Sequence, residues 1–308
     1  LKPAEQTPLT ALRLGELAAE AGFPPGILNV VPGFGETAGA ALVRHPGVDA
    51  IAFTGSTEVG KTIARTAADT LKKVSLELGG KSPNIVFSDA DLDAAVRGAS
   101  TGIFYGKGEV CAAGSRVLVE KGVYDEFVDG FAARAAKMTI GDPMESTTRL
   151  GAIVSEAQQE RVMSYVNAGK AEGARLVTGG EPRTVNGKGN FVEATVFADV
   201  DTKMRIAQEE IFGPVAAVIP FTDVDDAIDK ANDTIYGLAA GIWTRDIGKA
   251  HRMAQGIQAG TIWINTYNQY DAASPFGGYK QSGNGRDLGY RAALEKYTQT
   301  KSVWVALD

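Results

Sequence analysis

The sequence predicts an α/β fold built on a parallel sheet. Short apolar runs typical of buried strands alternate with amphipathic helical stretches along the chain. Several of these runs end at glycine-containing turns, as at 53–60 and 74–80. The 308 residues are 44% hydrophobic and 22% charged, which allows a sizeable buried core in about two soluble domains.

Each element follows from its own pattern. The first helix has Thr7 as a plausible N-cap, Pro8 at its first position and Gly22 at its end. Further helices are predicted over 35–46, 57–70, 88–104, 123–138, 155–174, 223–234 and 246–257. Strands are predicted over 26–33, 48–56, 72–80, 82–88, 115–122, 216–221, 238–244 and 260–266, and a glycine-rich turn follows over 275–289.

Composition excludes several classes of function. The net charge of −6 and the lack of a dense basic run argue against nucleic-acid binding. No apolar stretch approaches the roughly 18 residues of a membrane span. A single cysteine cannot form an internal disulfide or a thiolate cluster, and His45 and His251 lack a ligand-like spacing, so we expect no metal site. The lone cysteine and the absence of a signal-peptide pattern favour a reducing, cytoplasmic location.

That cysteine, Cys111, lies in the segment "GEVCAAGS". An isolated cysteine is often a small buried hydrophobe. Here it follows a predicted helix at an irregular turn with a glycine on either side, and Ala112 and Ala113 leave room for a ligand. From these residues alone, a nucleophile and an inert thiol are equally well supported.

Glu77 lies in the apolar strand of "LELGGKSPN" and is followed closely by Gly79 and Gly80. A buried carboxylate is costly unless it is paired or changes protonation state, and the glycines favour a tight turn at the strand end. The alternative is an edge-strand glutamate that faces solvent. The glycines at 33–39 and the turn at 53–60 are similarly open between phosphate-binding loops and ordinary turns.

Seven segments occur together in one order: "KPAEQTP", "GFGETAG", "FTGSTEVG", "LELGGKSPNIVF", "GEVCAAGSR", "EEIFGPV" and "PFGGYKQSGNGRDLG". In this respect the chain resembles the NAD(P)-dependent aldehyde dehydrogenases from Lys2 to its end. The resemblance implies a parallel-sheet cofactor-binding domain, incomplete here, and an α/β catalytic domain. It places the end of the cofactor domain at 1–79, the catalytic domain at 80–281, and a tail that is partly an oligomerisation strand at 282–308.

The resemblance also implies the site residues. Cys111 matches the family's nucleophile and Glu77 its general base. Glu5 would accept from the 2′-hydroxyl of the adenosine ribose and repel a 2′-phosphate, so NAD is favoured over NADP. The cofactor-binding positions that the resemblance implies are Lys2, Glu5, Gly35, Gly55, Ser56, Val59, Glu210 and Phe212.

The implied reaction is the oxidation of a small-molecule aldehyde to an acid. The thiolate attacks the aldehyde, the thiohemiacetal loses a hydride to the nicotinamide, and water activated by the base hydrolyses the thioester. Two alternatives remain, an acylating member in which coenzyme A takes the acyl group, and a non-catalytic relative. The resemblance further implies a homodimer or homotetramer.

For the substrate, Tyr105, Tyr270 and Phe276 would form an aromatic approach to the thiol. The segments at 266–287 and 293–304 are similar to γ-glutamyl-γ-aminobutyraldehyde and related aminoaldehyde dehydrogenases. Asp271 would then favour a cationic or amide-bearing substrate, although an exposed loop aspartate is the more frequent case. A broad-specificity enzyme for aliphatic or aromatic aldehydes is the alternative.

Two departures from the family pattern affect these expectations. The tripeptide before the cysteine segment usually reads Asn-Gln-Gly in the family, whereas this chain has Gly106-Lys107-Gly108. Family members also carry an N-terminal part before "KPAE", including a Pro-Trp-Asn segment whose asparagine completes the oxyanion hole. Because loss of an oxyanion donor costs about 3–4 kcal/mol, we expect this chain alone to be inactive.

Overall fold

A computed structural model describes residues 1–307 of the chain. These residues form two compact units. The first comprises Leu1–Phe53 and Glu58–Ser75, and the second comprises Thr54–Thr57 and the chain from Leu76 onward. The three-part domain division implied by the resemblance stays a prediction.

The elements alternate along the chain much as the sequence predicts. The helices are α1 (Leu9–Glu20), α2 (Ala40–Arg44), α3 (Thr57–Ala68), α4 (Leu92–Phe104), α5 (Tyr124–Ala136), α6 (Glu156–Ala171), α7 (Arg205–Gln208), α8 (Val224–Asn232), α9 (Ile247–Gly256) and α10 (Tyr290–Tyr297). The strands are β1 (Ala50–Thr54), β2 (Lys73–Glu77), β3 (Pro83–Val86), β4 (Arg116–Glu120), β5 (Arg175–Thr178), β6 (Pro182–Val185), β7 (Lys188–Val192), β8 (Thr195–Ala198), β9 (Val215–Phe221), β10 (Tyr236–Gly237), β11 (Ala239–Trp243), β12 (Thr261–Ile264), β13 (Tyr279–Lys280) and β14 (Gly283–Asn284).

In the first unit, α1 ends where the sequence predicts. Gly22 has φ +84°, and its N–H donates to the carbonyl of Ala19 while the N–H of Phe23 donates to that of Ala18. This pair of bonds is the Schellman arrangement, which uses glycine because the left-handed backbone disfavours a side chain. The end of the first helix is therefore confirmed.

The strand predicted over 26–33 is wrong. The segment is irregular. It forms backbone hydrogen bonds with Leu1: the Val31 N–H donates to the Leu1 carbonyl at 2.9 Å, and the Leu1 amino group donates to the Asn29 carbonyl at 2.7 Å. Prolines at 24, 25 and 32 remove backbone donors on both sides of the apolar run. Apolar character alone was the basis of the prediction, and it does not supply a pairing partner.

The second unit is organised on a seven-stranded sheet with the order β12-β11-β3-β4-β9-β8-β5. All neighbouring pairs in it are parallel except β5 and β8, which are antiparallel. Strands β5 to β8, including the β6–β7 hairpin, were not predicted from the sequence. The parallel sheet that was predicted is present.

Alternate residues of the central strands enter two separate cores. Ile85, Leu118 and Ile219 pack in one core with residues of α6, α8 and α9, while Val86 and Val119 pack in the other with α4 and α5. Both faces of the sheet are therefore covered, as parallel sheets require. This explains why the central strands are continuous apolar runs rather than alternating patterns.

The loops that carry the predicted site residues lie at the amino ends of the parallel strands. Gly80 precedes β3, Cys111 precedes β4, and Glu210 precedes β9. Glu77 is the last residue of β2, whose end pairs antiparallel with β14. Open α/β sheets usually place function at the carboxyl ends of strands, so this sheet uses its opposite edge.

Within residues 1–307, none of the helices combines the length and the apolar character needed to cross a membrane.

Candidate active site

The cysteine lies after a turn with an unusual backbone. Helix α4 is capped at its start by Asp91, whose Oδ1 accepts from the Ala94 N–H at 2.9 Å. The helix is followed by a tight turn in which Gly106, Lys107 and Gly108 have φ of +57°, +64° and +73°. Three consecutive left-handed residues reverse the chain sharply, and they explain why two of the three are glycine.

Close packing against a neighbouring segment holds the turn in place. A Cβ on Gly108 would lie 2.2 Å from the carbonyl oxygen of Gly213, in the loop that carries Glu210. Only glycine fits such an approach, because real Cβ atoms do not come that near to backbone atoms. The turn at 106–108 and the Glu210 loop are therefore in backbone contact.

The Cys111 thiol is partly buried and packs beside an aromatic cluster that includes Trp263, Tyr267 and Phe276. Tyr267 is buried, and its hydroxyl donates to the carbonyl of Ala112 at 2.8 Å. Burial raises the pKa of the thiol, and the Glu210 and Glu77 carboxylates raise it further, whereas backbone N–H groups oppose the rise. Burial and the two carboxylates therefore oppose ionisation of the thiol, and the backbone N–H groups favour it.

Glu77 has the environment expected of a buried acid–base group. It is 6% exposed, and within residues 1–307 neither of its carboxylate oxygens has a hydrogen-bond partner. Burial is the main cause that raises its pKa from 4.5 to about 7; Asp287 also raises it, while Arg286 and Lys296 lower it. A carboxyl group that titrates near neutrality can gain or lose a proton at physiological pH. The expectation of a solvent-facing Glu77 is not met.

Glu210 lies against the two glycines that follow Glu77. The Gly80 N–H donates to Glu210 Oε1 at 3.1 Å, and a Cβ on Gly79 would lie 2.3 Å from Glu210 Oε2. Phe212, two residues later, is 37% exposed and has φ +59°, a strained conformation for a non-glycine residue. A carboxyl group and an exposed ring are thus presented from one loop.

In the first unit, Lys2 and Glu5 form an ion pair with Nζ and Oε2 3.4 Å apart. A backbone N–H is the largest cause that lowers the pKa of Glu5, and Lys2 adds to it, so the carboxylate is ionised at neutral pH. The Lys2 stem passes 3.7 Å from the position of a Cβ on Gly39, whereas a Cβ on Gly35 would meet open space. Gly35–Gly39 is a single π-helical turn, a feature frequent at functional sites.

Gly55 and Ser56 form the predicted turn between β1 and α3. The Gly55 N–H donates to the carbonyl of Glu77 at 3.1 Å, which links this turn to the segment of the candidate base. Val59 lies in the first turn of α3 and is 47% exposed. The N-terminus of α3 offers backbone donors and a positive dipole end to an anion.

The residues at the predicted cofactor positions are chemically suited to a dinucleotide. The Glu5 and Glu210 carboxylates can accept from sugar hydroxyls, and the glycines at 35 and 55 keep side chains away from the backbone. Within the part of the chain described here, no group of three or more His, Cys, Asp and Glu residues is arranged to hold a metal ion.

Two of the three predicted substrate-pocket residues belong to the aromatic group beside Cys111. Tyr270 packs edge-on to Phe276 with ring centroids 5.4 Å apart, and Phe276 packs against the cluster that contains Cys111. Burial raises the pKa of Tyr270 to about 12, with a further contribution from Cys111. Tyr105 directly precedes the turn at 106–108 and is 67% exposed. Asp271 is exposed, and its Oδ1 accepts from the Ala273 N–H at 2.7 Å within its own loop.

Lys107, the departure from the family pattern, is paired with a neighbour. Its Nζ lies 3.0 Å from Glu109 Oε2, and Glu109 Oε1 accepts from the Val154 N–H at 3.1 Å. The ammonium is therefore balanced by a carboxylate whose side chain is only 7% exposed. Through Glu109, the pair connects the turn at 106–108 to the segment that precedes α6.

Sequence reasoning missed four residues of the site. Tyr267 supports the carbonyl next to the cysteine, and Arg286, Asp287 and Lys296 influence the charge on Glu77. The glycine-rich turn at 275–289 was the available signal for two of them, but its closeness to Glu77 depends on the pairing of β14 with β2. Nothing in the local pattern around Lys296 indicates its position.

Comparison with known proteins agrees with this geometry. A sequence profile of the aldehyde dehydrogenase family matches residues 1–303. The chain is 56% identical over 309 residues to DhaS of Bacillus subtilis (strain 168) and 52% identical over 308 residues to aldehyde dehydrogenase 1A1 of Gallus gallus. Both alignments span 100% of this chain, but they cover only 62% of the Bacillus subtilis protein and 60% of the Gallus gallus protein.

A solved structure shows the same fold. The NAD+ complex of aldehyde dehydrogenase from Bacillus cereus superposes with a TM-score of 0.97 at 53% identity, covering 100% of this chain and 62% of that one. The α/β fold implied by the resemblance is therefore confirmed. The chain spans about three fifths of the length of the relatives that it matches.

Proposed function

The chain belongs to the aldehyde dehydrogenase family, and from that premise we propose that the protein which carries it oxidises an aldehyde to a carboxylic acid with NAD. One observation carries this proposal. Within residues 1–307 the buried Glu77 carboxyl group has no hydrogen-bond partner, and Gly80, three residues after it, contacts the backbone of Cys111, the single cysteine of the chain. Acyl transfer to water needs a nucleophile that carries the acyl group and a nearby base that accepts a proton from the water.

For the cofactor, the proposal assigns Lys2 and Glu5 to the adenosine ribose and Glu210 to the nicotinamide ribose. Phe212 would hold the nicotinamide ribose with Glu210, Gly55 and Ser56 would face the pyrophosphate, and Gly35 and Val59 are further assigned cofactor positions. When bound, NAD supplies the hydride acceptor of the oxidation. The relative from Bacillus cereus has been solved as an NAD+ complex, which supports this choice of cofactor. The negative charge of Glu5 favours NAD over NADP because it would repel a 2′-phosphate.

In the first half of the reaction, the Cys111 thiol ionises by releasing its proton to solvent, and the thiolate sulfur then bonds to the aldehyde carbon. The carbonyl oxygen of the aldehyde becomes an oxyanion, for which the backbone N–H of Cys111 is a donor. Tyr270 and Phe276 shield the reacting atoms and hold the apolar part of the substrate. After oxidation the acyl group remains on the sulfur as a thioester.

In the second half, Glu77 takes a proton from the water that attacks this thioester. The acid leaves, and the sulfur is regenerated. A pKa of about 7 suits the task, since the group is substantially ionised at neutral pH and is still basic enough to accept the proton. The acylating alternative would leave Glu77 without a role, so the buried base favours water as the acyl acceptor.

The physiological aldehyde is a narrower proposal. The resemblance of the C-terminal segments to aminoaldehyde dehydrogenases favours an aminoaldehyde, and the aromatic pair at Tyr270 and Phe276 suits broader substrates as well. Asp271 has its Oδ1 engaged within its own loop and is exposed, which gives the cationic preference little support. A cytoplasmic homodimer or homotetramer stays part of the proposal.

The test is an assay of NADH formation by the protein that carries this chain, with aliphatic, aromatic and amino-substituted aldehydes. The proposal predicts NAD-dependent formation of free acid without coenzyme A. A requirement for coenzyme A with an acyl thioester as product would establish the acylating alternative. Absence of turnover with every aldehyde, in a folded protein that binds NAD, would favour the non-catalytic alternative.

A further inference from the structure

Three charged side chains surround the candidate base without a role in the reaction just described. They are Arg286, Asp287 and Lys296, and all three act electrostatically on Glu77. The first two follow β14, and the third lies near the end of the last helix, α10. Their arrangement indicates how the chain sets the charge on Glu77.

The backbone brings Asp287 and Arg286 next to Glu77. Gly283 of β14 is paired with Glu77, and Asp287 then exchanges two hydrogen bonds of 2.7 Å with Phe276. A Cβ on Gly277 would lie 2.7 Å from Glu77 Oε1 and 2.9 Å from Arg286 Cδ. The carboxylate of Glu77 and the stem of Arg286 therefore flank the same glycine.

Lys296 reaches this cluster from α10. Its Nζ forms an ion pair with Asp287 Oδ1, and the lysine side chain is 13% exposed, against 35% for the aspartate. The other ion pair of the helix, Arg291 with Glu295 at 2.7 Å, is 91% and 65% exposed. The Lys296–Asp287 pair is thus the less exposed of the two, and both of its members act electrostatically on Glu77.

The charges act on the base in opposite directions. Asp287 repels the ionised form of Glu77, whereas Arg286 and Lys296 stabilise it. Cys111 also interacts with Glu77 electrostatically. Arg286 donates to the carbonyls of Gly278 and Gly285, so its position is fixed by backbone. Lys296 is the member of the cluster that comes from a separate element.

We propose that Lys296 is a positioning residue for Glu77: through its ion pair with Asp287, the last helix sets the pH at which thioester hydrolysis begins. The inference rests on the proposed function, because it assumes that Glu77 is the base. The competing explanation is that the ion pair only anchors α10. Anchoring affects folding and rate at every pH, whereas a charge effect moves the pH profile.

The probe is p-nitrophenyl acetate, which needs no cofactor. The Cys111 thiolate bonds to the ester carbonyl carbon, the carbon–oxygen bond to p-nitrophenolate breaks, and an acetyl thioester remains. Water then adds to the thioester, its proton goes to Glu77, and acetate leaves. The p-nitrophenolate burst reports acylation, and the later steady phase reports hydrolysis. The pH at half-maximal steady rate is the quantity to compare.

Four variants define the test. With Lys296→Met, we expect the midpoint to move to higher pH by on the order of 1 unit, because a stabilising cation is lost. With Asp287→Asn it moves to lower pH, and with both changes it returns close to that of the unchanged protein. Lys296→Arg keeps the charge and the midpoint. Arg291→Met, in the exposed pair of the same helix, is the matched control and leaves the profile unchanged.

The outcomes separate the inference from the proposed function. Glu77→Gln must keep the burst and remove the pH-dependent rise of the steady phase; survival of that rise overturns both. If Glu77→Gln behaves so but Lys296→Met lowers the rate equally at every pH, the inference fails and the function stands. If Lys296→Met does not fold, Asp287→Asn decides, since an unmoved midpoint in that variant also overturns the inference.

Discussion

The carbonyl oxygen of Cys111 lies against the α-carbon of Gly80, so closely that a Cβ on Gly80 would come within 2.4 Å of it. The same glycine donates its N–H to the Glu210 carboxylate. Gly80 is three residues after Glu77. One short segment therefore carries the candidate base, holds the candidate ribose-binding carboxylate and contacts the backbone of the candidate nucleophile.

Gly80→Ala tests this contact. Gly80 does not have a positive φ, so the backbone tolerates alanine and the expected effect is steric. The added methyl must displace the Cys111 carbonyl, and misplacement of a reacting group by about 1 Å costs on the order of 10²-fold in rate. We expect a loss of that size in aldehyde oxidation. Gly130→Ala is the control, because its Cβ would have an ordinary 3.7 Å contact with Val96.

Cys111→Ala should abolish aldehyde oxidation and leave NAD binding intact. The thiol forms the covalent bond to the substrate, whereas the proposed cofactor contacts come from other residues. Turnover and NAD binding by calorimetry are to be measured on the same preparation. Turnover close to that of the unchanged protein would remove Cys111 from the mechanism.

Glu5→Ser should narrow the preference for NAD over NADP. The change removes an ionised carboxylate that would repel a 2′-phosphate, while the hydroxyl can still contact the ribose. The ratio of kcat/KM for the two cofactors gives the measure. An unchanged protein that already prefers NADP would contradict the role given to Lys2 and Glu5.

Glu77 should make the protein less stable as the pH rises through neutrality. Its pKa is raised from 4.5 to about 7 in the folded state, so its stabilising contribution is complete below 4.5 and is lost above 7. A rise of that size corresponds to roughly 3 kcal/mol. The measurement is the free energy of unfolding in denaturant for Glu77→Gln and for the unchanged protein. The difference between them should favour Glu77→Gln more strongly at pH 8 than at pH 5. If the free energies of unfolding of the two proteins differ by the same amount at pH 5 and pH 8, the pKa of Glu77 is not raised by folding.

Much of the fold follows from sequence because the central strands are buried on both faces. Continuous apolar runs at β3, β4, β9 and β11 identify them without tertiary information. Strands β5 to β8 were missed because they include short segments such as β6, in which three of the four residues are exposed. The false strand at 26–33 shows the converse, since an apolar run flanked by prolines stays irregular.

The candidate site divides in the same way. Cys111 and Glu77 stand out locally, as a lone thiol at a glycine turn and a carboxylate in an apolar strand. The presence of Asp287 and Lys296 beside Glu77 depends on interactions between residues more than 200 positions apart. Such contacts are set by the pairing of β2 with β14 and by the position of α10, which no local pattern encodes.

The two steps of the proposed reaction are separated most directly by pre-steady-state NADH formation in Glu77→Gln, measured in the protein that carries this chain. The amide keeps the shape of the carboxyl group but cannot accept a proton from water. The account predicts a burst of about one NADH per active site, followed by steady turnover reduced on the order of 10²–10⁴-fold. Absence of the burst would place Glu77 in activation of the thiol, and undiminished steady turnover would contradict its role as the base.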